Sequence, residues 1–270
     1  MNESLKLALV GGIARVTLNR PAFYNAFDLR TIRTMTERLI ELAGDPQVVG
    51  VVVTGEGKAF CTGGDLKWVS TFGKSFGEAF HALAASYHQT ILEIRRMPKP
   101  VVAAINGLAA GGGFSLALAC DFRVMETSAQ MRQAYTSKGL SIDGGGTFTL
   151  PRIVGTARAL EIAAVDRPIS SGEAQSWGLV TEVVEDGHAL EKAVELVEKI
   201  NNGPLSSFAV SKRLFNESFN SPLETQLEKE RACLSWCADH PNGREGIRAF
   251  VEKRRPVFDI RYSVYTSEFV

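Results

Sequence analysis

Apolar residues dominate two short runs near the start of the chain. LKLALV (5–10) and IARVTL (13–18) are separated only by Gly11 and Gly12. Two glycines between β-type runs are typical of a two-residue hairpin turn. Three later runs are predominantly apolar: VVGVVVTGEG from residue 48, VVAAI (101–105) and CDFRVM (120–125). Such runs indicate strands that are covered on both faces, as in a parallel sheet.

Two longer segments follow the helical period instead. Asp28 precedes the first and is suited to cap a helix with one apolar stripe, made of Leu29, Ile32, Met35, Leu39 and Leu42. The second, residues 77–97, has Phe80, Leu83, Tyr87, Ile91 and Ile94 at the same spacing and ends at MPKP. The two patterns therefore predict two amphipathic helices.

Strand and helix patterns alternate as far as residue 185, which predicts an α/β fold built from repeated ββα units. From 188 to 253 the pattern is mostly helical, with breaks at NNGPL and NSPL. We therefore divide the chain into a core over 1–187 and a helical C-terminal region over 188–270. Amphipathic helices in that region need a surface to cover, on the same chain or on a neighbouring subunit.

Composition narrows the classes of function. The 30 basic residues balance 30 acidic ones, whereas a nucleic-acid-binding surface normally brings a basic excess. The four cysteines form no CxxC pair, so we expect reduced thiols and no metal site. The N-terminus lacks a signal-peptide pattern, and no apolar run approaches the ~20 residues of a membrane span. We expect a cytoplasmic protein that binds neither membrane nor nucleic acid.

Two glycine-containing segments, KAFCTGGDLKWV (58–69) and INGLAAGGGFSLALACD (105–121), each precede a predicted helix. Backbone N–H groups at a helix start lack partners and suit a phosphate or an oxyanion. Close strand–helix packing explains the glycines equally well. A dinucleotide loop belongs in the first βαβ unit, and a phosphate-binding P-loop needs GK[ST]; neither condition is met.

Several motifs together resemble the crotonase superfamily, also called the enoyl-CoA hydratase/isomerase family. They span nearly the whole chain, in order: NRPAFYNAF, KAFCTGGDLK, KPVVAAINGLAAGGGFSLALACD, LPRIVG, EAQSWGLV and REGIRAFVEKRRPVF. The resemblance implies a crotonase-like ββα spiral core followed by a helical C-terminal region. It also implies a homotrimer or a dimer of trimers, and coenzyme A that enters as part of an acyl-CoA thioester substrate, with no further cofactor.

The resemblance also implies roles for particular residues. The backbone amides of Gly64 and Gly112 would hold the thioester oxygen as an enolate forms. The backbone of Lys58, Phe60 and Thr62 would face the adenine of CoA. The side chains of Lys253, Arg254 or Arg255 would reach the nucleotide phosphates from the same or another subunit, although solvated charge explains these three equally well.

The chain departs from the two-glutamate pattern of hydratases in this family. Ser115 and Tyr135 occupy the two glutamate positions, so the usual bases for adding water are missing. Asp143 lies at the position where single-aspartate members carry their acidic residue. The resemblance therefore favours an isomerase of the Δ3,Δ2-enoyl-CoA or ring-epoxyphenylacetyl-CoA kind, in which Asp143 moves a proton between the α and γ carbons.

Other interpretations remain open. In one of them Asp143 only caps the helix that begins near Gly144. We favour His88 as a buried core histidine, with a polar wall of the acyl pocket as the alternative. A 4-chlorobenzoyl-CoA dehalogenase would use Asp143 as a nucleophile beside Tyr135 and His88, but Ile142 replaces its asparagine. A hydratase with non-standard acids and a non-catalytic acyl-CoA-binding protein complete the alternatives.

Overall fold

The computed structural model describes residues 4–259, which form ten strands and ten α-helices. The strands are β1 Leu5–Val10, β2 Ile13–Leu18, β3 Gly50–Gly55, β4 Ala59–Cys61, β5 Val101–Ile105, β6 Leu108–Ala110, β7 Phe122–Glu126, β8 Gln130–Arg132, β9 Ile169–Ser170 and β10 Glu182–Val184. The helices are α1 Leu29–Gly44, α2 Leu66–Val69, α3 Phe76–Arg96, α4 Gly112–Ala119, α5 Gly146–Val165, α6 Ser171–Ser176, α7 Ala189–Asn201, α8 Leu205–Ser218, α9 Leu223–Asp239 and α10 Pro241–Val251.

The strands form two sheets. The larger has the order β1-β2-β3-β5-β7-β10 and is parallel beyond the antiparallel β1–β2 pair. The smaller has the order β4-β6-β8-β9. Gly11 and Gly12 have φ of +59° and +79°, as a type I′ hairpin turn requires. The predicted hairpin and the α/β fold are both confirmed.

The predicted amphipathic helices form close to their expected bounds. The Asp28 carboxylate accepts the Thr31 N–H at 2.8 Å, which caps α1. The Ser75 hydroxyl accepts the Glu78 N–H at 3.1 Å and caps α3 in the same way. The apolar faces of both helices pack into one core between the two sheets. Packing of these faces, more than helix propensity, stabilises the two helices.

A second, smaller core covers the other face of the large sheet. Ala189, Ala193 and Val197 of α7 pack there against strand residues such as Val52 and Val102. The first helix beyond residue 187 is thus part of the sheet's cover. The proposed boundary between a core and a C-terminal region at residues 187 and 188 therefore does not coincide with a break in packing, and it remains a prediction.

Helix α8 is attached to the core by a buried ion pair. Lys212 Nζ lies 2.7 Å from Asp121 Oδ2 and also donates to the carbonyl oxygens of Ile94 and Lys99. The two side chains are only 7% and 10% exposed. Helix α9 packs on α8, and α10 packs on α9.

Within residues 4–259, no helix is both long enough and apolar enough to cross a membrane.

Candidate active site

A cavity of about 710 Å³ opens where the loop after β4, the loop after β6, helix α3 and the segment 134–143 meet. Its walls are mostly apolar, with Phe27, Phe80, Leu83 and Ile142 among the lining side chains. Polar groups enter it from Thr62, Gly64, Gly112, Tyr135 and Asp143. An apolar cavity with a few convergent polar groups is the usual form of a small-molecule site.

The two glycine loops touch each other on one side of this cavity. Gly63 has φ of +82°, and a Cβ there would lie 2.4 Å from the backbone nitrogen of Gly112. Only glycine therefore permits this approach. A Cβ on Gly112 would likewise lie 2.9 Å from the Phe27 ring. Tight packing thus explains why Gly63 and Gly112 are glycines, and the same packing places the two loops side by side at the cavity.

Gly64 and Gly112 both line the cavity. Phe27 N–H donates to Gly63 O at 2.8 Å, and Asp65 N–H donates to Phe27 O at 2.9 Å. These two hydrogen bonds use the Gly63 carbonyl and the Asp65 N–H, which lie on either side of Gly64. The Gly64 N–H itself has no acceptor within residues 4–259. Gly112 begins α4, where a helix has no internal acceptor for its N–H.

Two polar side chains hold the first loop in this position. Asn25 is 1% exposed and donates to the carbonyl oxygens of Glu56 and Ala59 at 3.0 and 2.7 Å. Asp65 caps α2 and accepts from Arg20 Nη2 at 2.8 Å. The segment NRPAFYNAF signalled the family resemblance, but the sequence did not reveal that it supports the glycine loop.

Asp143 lies at the cavity wall and contacts His88. The distance from Asp143 Oδ1 to His88 Nε2 is 2.5 Å, and the side chains are 34% and 51% exposed. The interpretation of His88 as a buried core histidine is therefore wrong. The capping interpretation of Asp143 is wrong too, because α5 begins at Gly146 after Gly145 and no side chain caps it.

Ser115 and Tyr135 both contact the Asp143 backbone. Ser115 is fully buried in α4 and donates from Oγ to Asp143 O at 2.7 Å, so it supports the wall from behind rather than lining it. Tyr135 lines the cavity, and burial together with the Asp143 charge raises the pKa of its phenol. Tyr135 is therefore a neutral phenol near neutral pH.

Two further buried groups adjoin the site. The Tyr87 hydroxyl, which is 1% exposed, donates to the carbonyl oxygen of Gly112 and so ties α3 to the second glycine loop. Burial raises the pKa of the Cys61 thiol to about 12, which excludes a thiolate nucleophile at neutral pH. Within the described chain no cluster of three His, Cys, Asp or Glu side chains could hold a metal ion.

The residues predicted to bind CoA are spread over two places. Of the first three, Thr62 lines the cavity, Lys58 is exposed at the start of β4, and Phe60 is buried within it. Lys253 and Arg254 lie exposed just after α10 and do not line the cavity. Arg254 is already paired, with Nη1 2.6 Å from Glu245 Oε1 and Nε 2.6 Å from Glu252 Oε2.

Comparison with known proteins finds relatives along nearly the full chain. A profile of the enoyl-CoA hydratase/isomerase family matches residues 9–261. The 1,2-epoxyphenylacetyl-CoA isomerase of Escherichia coli is 32% identical, over 92% of this chain and 95% of that protein. The short-chain-enoyl-CoA hydratase of Clostridium acetobutylicum is 31% identical, over 91% and 93%. A crystal structure of an enoyl-CoA hydratase from Polaromonas sp. JS666 superposes with a TM-score of 0.90 at 36% identity, covering 95% and 100% of the two chains.

Proposed function

The chain belongs to the enoyl-CoA hydratase/isomerase family, the crotonase superfamily, and from that premise we propose that it is an acyl-CoA isomerase with Asp143 as its acid and base. The substrates we propose are a 3-enoyl-CoA or a ring-epoxyphenylacetyl-CoA type of thioester. One observation carries the proposal: Asp143 lines the same cavity as Gly64 and Gly112, two glycines whose backbone N–H groups have no acceptor within residues 4–259.

The amides of Gly64 and Gly112 hold the thioester oxygen in this proposal. Removing a proton beside a thioester moves negative charge onto that oxygen, and two fixed N–H donors stabilise the charge without reorganising. By analogy with other oxyanion holes, each donor contributes about 3 kcal/mol to transition-state stabilisation. The Tyr87 contact to Gly112 O and the Asn25 contacts to Glu56 O and Ala59 O hold the segments that carry the two donors.

Asp143 transfers the proton. Its carboxylate takes a proton from the α carbon of a 3-enoyl-CoA, and the electron pair spreads over the dienolate as far as the γ carbon. The protonated carboxyl then gives the proton back at the γ carbon, which leaves the double bond between the α and β carbons. One carboxyl serves both carbons because they lie on one face of a short conjugated fragment.

A hydratase is the second candidate, because His88 supplies a second titratable group 2.5 Å from Asp143. In that case the pair would have to activate water in place of the two glutamates that Ser115 and Tyr135 replace. Ser115 is committed to Asp143 O, and Tyr135 is a neutral phenol, so neither is a base. These two facts favour isomerisation over hydration.

The remaining proposals concern the residues that bind the CoA portion of the substrate. Thr62 is the best-placed contact for it, since it lies on the cavity wall beside Gly64. The backbone of Lys58 and Phe60 remains our proposal for the adenine, and Lys253 and Arg254 for the phosphates. For Arg254 this requires exchange of its present partners, Glu245 and Glu252.

We also propose a homotrimer or a dimer of trimers. Large apolar side chains are exposed on the C-terminal helices and just beyond them, at Phe215, Phe219, Leu223, Leu227, Leu234, Ile247, Phe250, Val251 and Val257. Exposed apolar surface of this extent is typical of an interface.

A substrate panel with wild type and Asp143→Asn tests the proposed function. We expect wild type to convert 3-enoyl-CoA thioesters to 2-enoyl products, and the variant to lose at least about 100-fold in kcat, the usual effect of removing an acid–base group. Gln89→Ala, an exposed neighbour of His88 on α3, is the control and should retain activity. Full turnover by Asp143→Asn on every accepted substrate would show that Asp143 is not the base.

Aryl-CoA and 2-enoyl-CoA thioesters in the same panel separate the alternatives. Release of chloride from 4-chlorobenzoyl-CoA would assign the dehalogenase activity to the Asp143 carboxylate. Hydration of a 2-enoyl-CoA without isomerisation would favour the hydratase. Binding of all thioesters with no turnover would mean a non-catalytic acyl-CoA-binding protein.

A further inference from the structure

A second cavity, of about 820 Å³, lies between the last turns of α3, the start of α5, and helices α8 and α9. Apolar groups form most of its surface, among them Ile91, Leu92 and Phe148. None of the residues proposed above for catalysis lines it. Its size is that of a site for a small molecule or for part of one.

The two cavities follow one another along helix α3. Phe80 and Ala84 line the first, and Ile91 and Arg95 line the second. These positions share one helix face with His88, which falls between the two sets. On the facing segment Asp143 lines the first cavity and Gly145 the second. His88, which lines neither cavity, therefore stands along α3 between the residues that line the first cavity and those that line the second, and it contacts Asp143 on the facing segment.

The second cavity has an excess of positive charge at its far end. Five basic side chains and one acidic side chain line it. Three of the basic groups have carboxylate neighbours: Lys212 pairs with Asp121 at 2.7 Å, and Lys229 and Arg213 lie 2.7 and 4.0 Å from Glu217. The other two, Arg95 and Arg96, have no carboxylate within 4.0 Å in residues 4–259.

Arg95 is the more buried of these two guanidinium groups. Its side chain donates to Asn216, a neutral amide, and burial lowers its pKa more than the charge of Asp121, with which it forms no direct ion pair, raises it. A desolvated cation without a carboxylate partner is costly, and an anionic ligand group would offset that cost. Arg96 is exposed and follows it at the end of α3. At 1.5 Å per residue, Arg95 lies about 10 Å beyond His88 along the helix axis, which is within the reach of a medium-length acyl chain.

We propose that the second cavity is an extension of the acyl site that takes an acyl chain ending in a carboxylate, with Arg95 and Arg96 binding that carboxylate. This inference rests on the proposed function in that the first cavity holds the thioester. The preferred substrates are then mono-CoA thioesters of dicarboxylic acids. The chain passes between the two cavities when the His88 side chain turns away from Asp143.

Calorimetric binding of saturated thioesters tests this proposal without relying on turnover. The probes are adipoyl-, suberoyl- and sebacoyl-CoA, each compared with hexanoyl-, octanoyl- or decanoyl-CoA of the same length. At the length that reaches Arg95, we expect the dicarboxylic thioester to bind at least about tenfold more tightly, as for a partly buried charge pair. The double variant Arg95→Gln, Arg96→Gln should abolish this preference and leave binding of the neutral thioester unchanged.

Two further variants keep the result interpretable. Arg96→Gln alone removes an exposed side chain and leaves the Arg95–Asn216 hydrogen bond in place. This variant should lower the preference in part even if the double variant fails to fold. Arg33→Gln, an exposed arginine on α1 away from both cavities, should keep the full preference. No preference at any of the three lengths, or a preference that survives loss of both arginines, would overturn the proposal.

Turnover of a neutral 3-octenoyl-CoA, measured on the same samples, separates this proposal from the proposed function. Turnover without a dicarboxylate preference would overturn only the carboxylate subsite. A preference that depends on Arg95 and Arg96 without turnover of any enoyl-CoA would support the subsite and contradict the isomerase assignment.

Discussion

Asp143 is positioned by contacts from two helices. Its carboxylate contacts His88 of α3, and its backbone oxygen accepts from Ser115 of α4. The next residue, Gly144, has φ of +64°, and a Cβ there would lie 2.3 Å from the Tyr87 ring. The chain can therefore turn beside Tyr87 only because position 144 is glycine. At the residue scale the site depends on the backbone conformation at its glycines as much as on the Asp143 carboxylate.

The Gly63→Ala variant tests the role of the glycine contact. The new Cβ would meet the backbone nitrogen of Gly112 at 2.4 Å, so the second amide must move. We expect kcat to fall by about 100-fold, the usual loss for one oxyanion donor, with a much smaller change in KM. Steady-state kinetics with a 3-enoyl-CoA measure both constants.

Gly187→Ala is the matched control for that variant. Gly187 has a similar φ of +88°, but a Cβ there has no atom within 4 Å. It should lose stability through backbone strain and keep its kcat. Equal kcat losses in both variants would mean that strain, rather than displacement of the Gly112 amide, explains the effect.

The sequence predicted Asp143 and the two glycines through the family resemblance, but it misassigned His88. The stripe Leu83, Tyr87, Ile91 and Ile94 does face the core. His88 is one residue from Tyr87, about 100° around the helix, which is the margin of that stripe. Periodicity does not decide on which side of such a margin a polar residue lies. Only the position of segment 134–143 brings His88 to Asp143.

At the scale of elements, α8 connects the C-terminal helices to the sheet. The Lys212–Asp121 pair is its only buried ion pair to the core among the described residues, and Asp121 Oδ2 also accepts the Val101 N–H at 2.8 Å. The pair therefore ties α8 to the start of β5. The hydrogen bonds between Arg95 and Asn216 add a second tie, from α3 to α8.

A double-mutant cycle measures how much this ion pair stabilises the fold. Lys212→Met leaves the Asp121 carboxylate buried without its cation, which should lower the free energy of unfolding by about 3–5 kcal/mol. Adding Asp121→Asn should restore part of that loss, since no charge then remains buried unpaired. Urea unfolding of the four proteins gives the coupling energy. Additive losses would contradict the role assigned to the pair.

Long elements were predictable from the sequence and short ones were not. Helices α1 and α3 have several turns of periodic apolar residues. Helix α1 begins directly after its predicted cap, Asp28, and α3 lies within one residue of the predicted range 77–97. Strands β4, β6, β8 and β9 have only two or three residues each. Their pairing depends on segments up to about fifty residues apart rather than on local pattern. Two of these short strands, β4 and β6, lead directly into the glycine loops at the cavity.

At the scale of the whole molecule, the large exposed apolar side chains are unevenly distributed. Many of them lie on α8, α9 and α10, with Leu234 73% and Phe250 86% exposed. The helical pattern after residue 188 led to the expectation of an oligomerisation region, and these side chains agree with it. Assembly and a cytoplasmic location both remain predictions.

Light scattering coupled to gel filtration tests the proposed assembly. We expect wild type to elute as a trimer or hexamer, and Leu234→Glu with Phe250→Glu to give smaller species, because charge at an interface centre is unfavourable. Leu9→Glu, on the exposed hairpin strand β1, should leave assembly unchanged. A wild-type monomer, or a double variant of unchanged mass, would contradict an interface on these helices.

Liquid chromatography coupled to mass spectrometry tests most directly whether Asp143 only moves a proton, because chromatography separates the isobaric 3-enoyl and 2-enoyl thioesters and water enriched with oxygen-18 labels any product of hydration. Wild type is incubated with a 3-enoyl-CoA, and Asp143→Asn is run alongside. The account predicts a 2-enoyl-CoA of unchanged mass from wild type and conversion at least about 100-fold slower by the variant. A 3-hydroxyacyl-CoA carrying the heavy oxygen as the main product would contradict it, since water would then have been added.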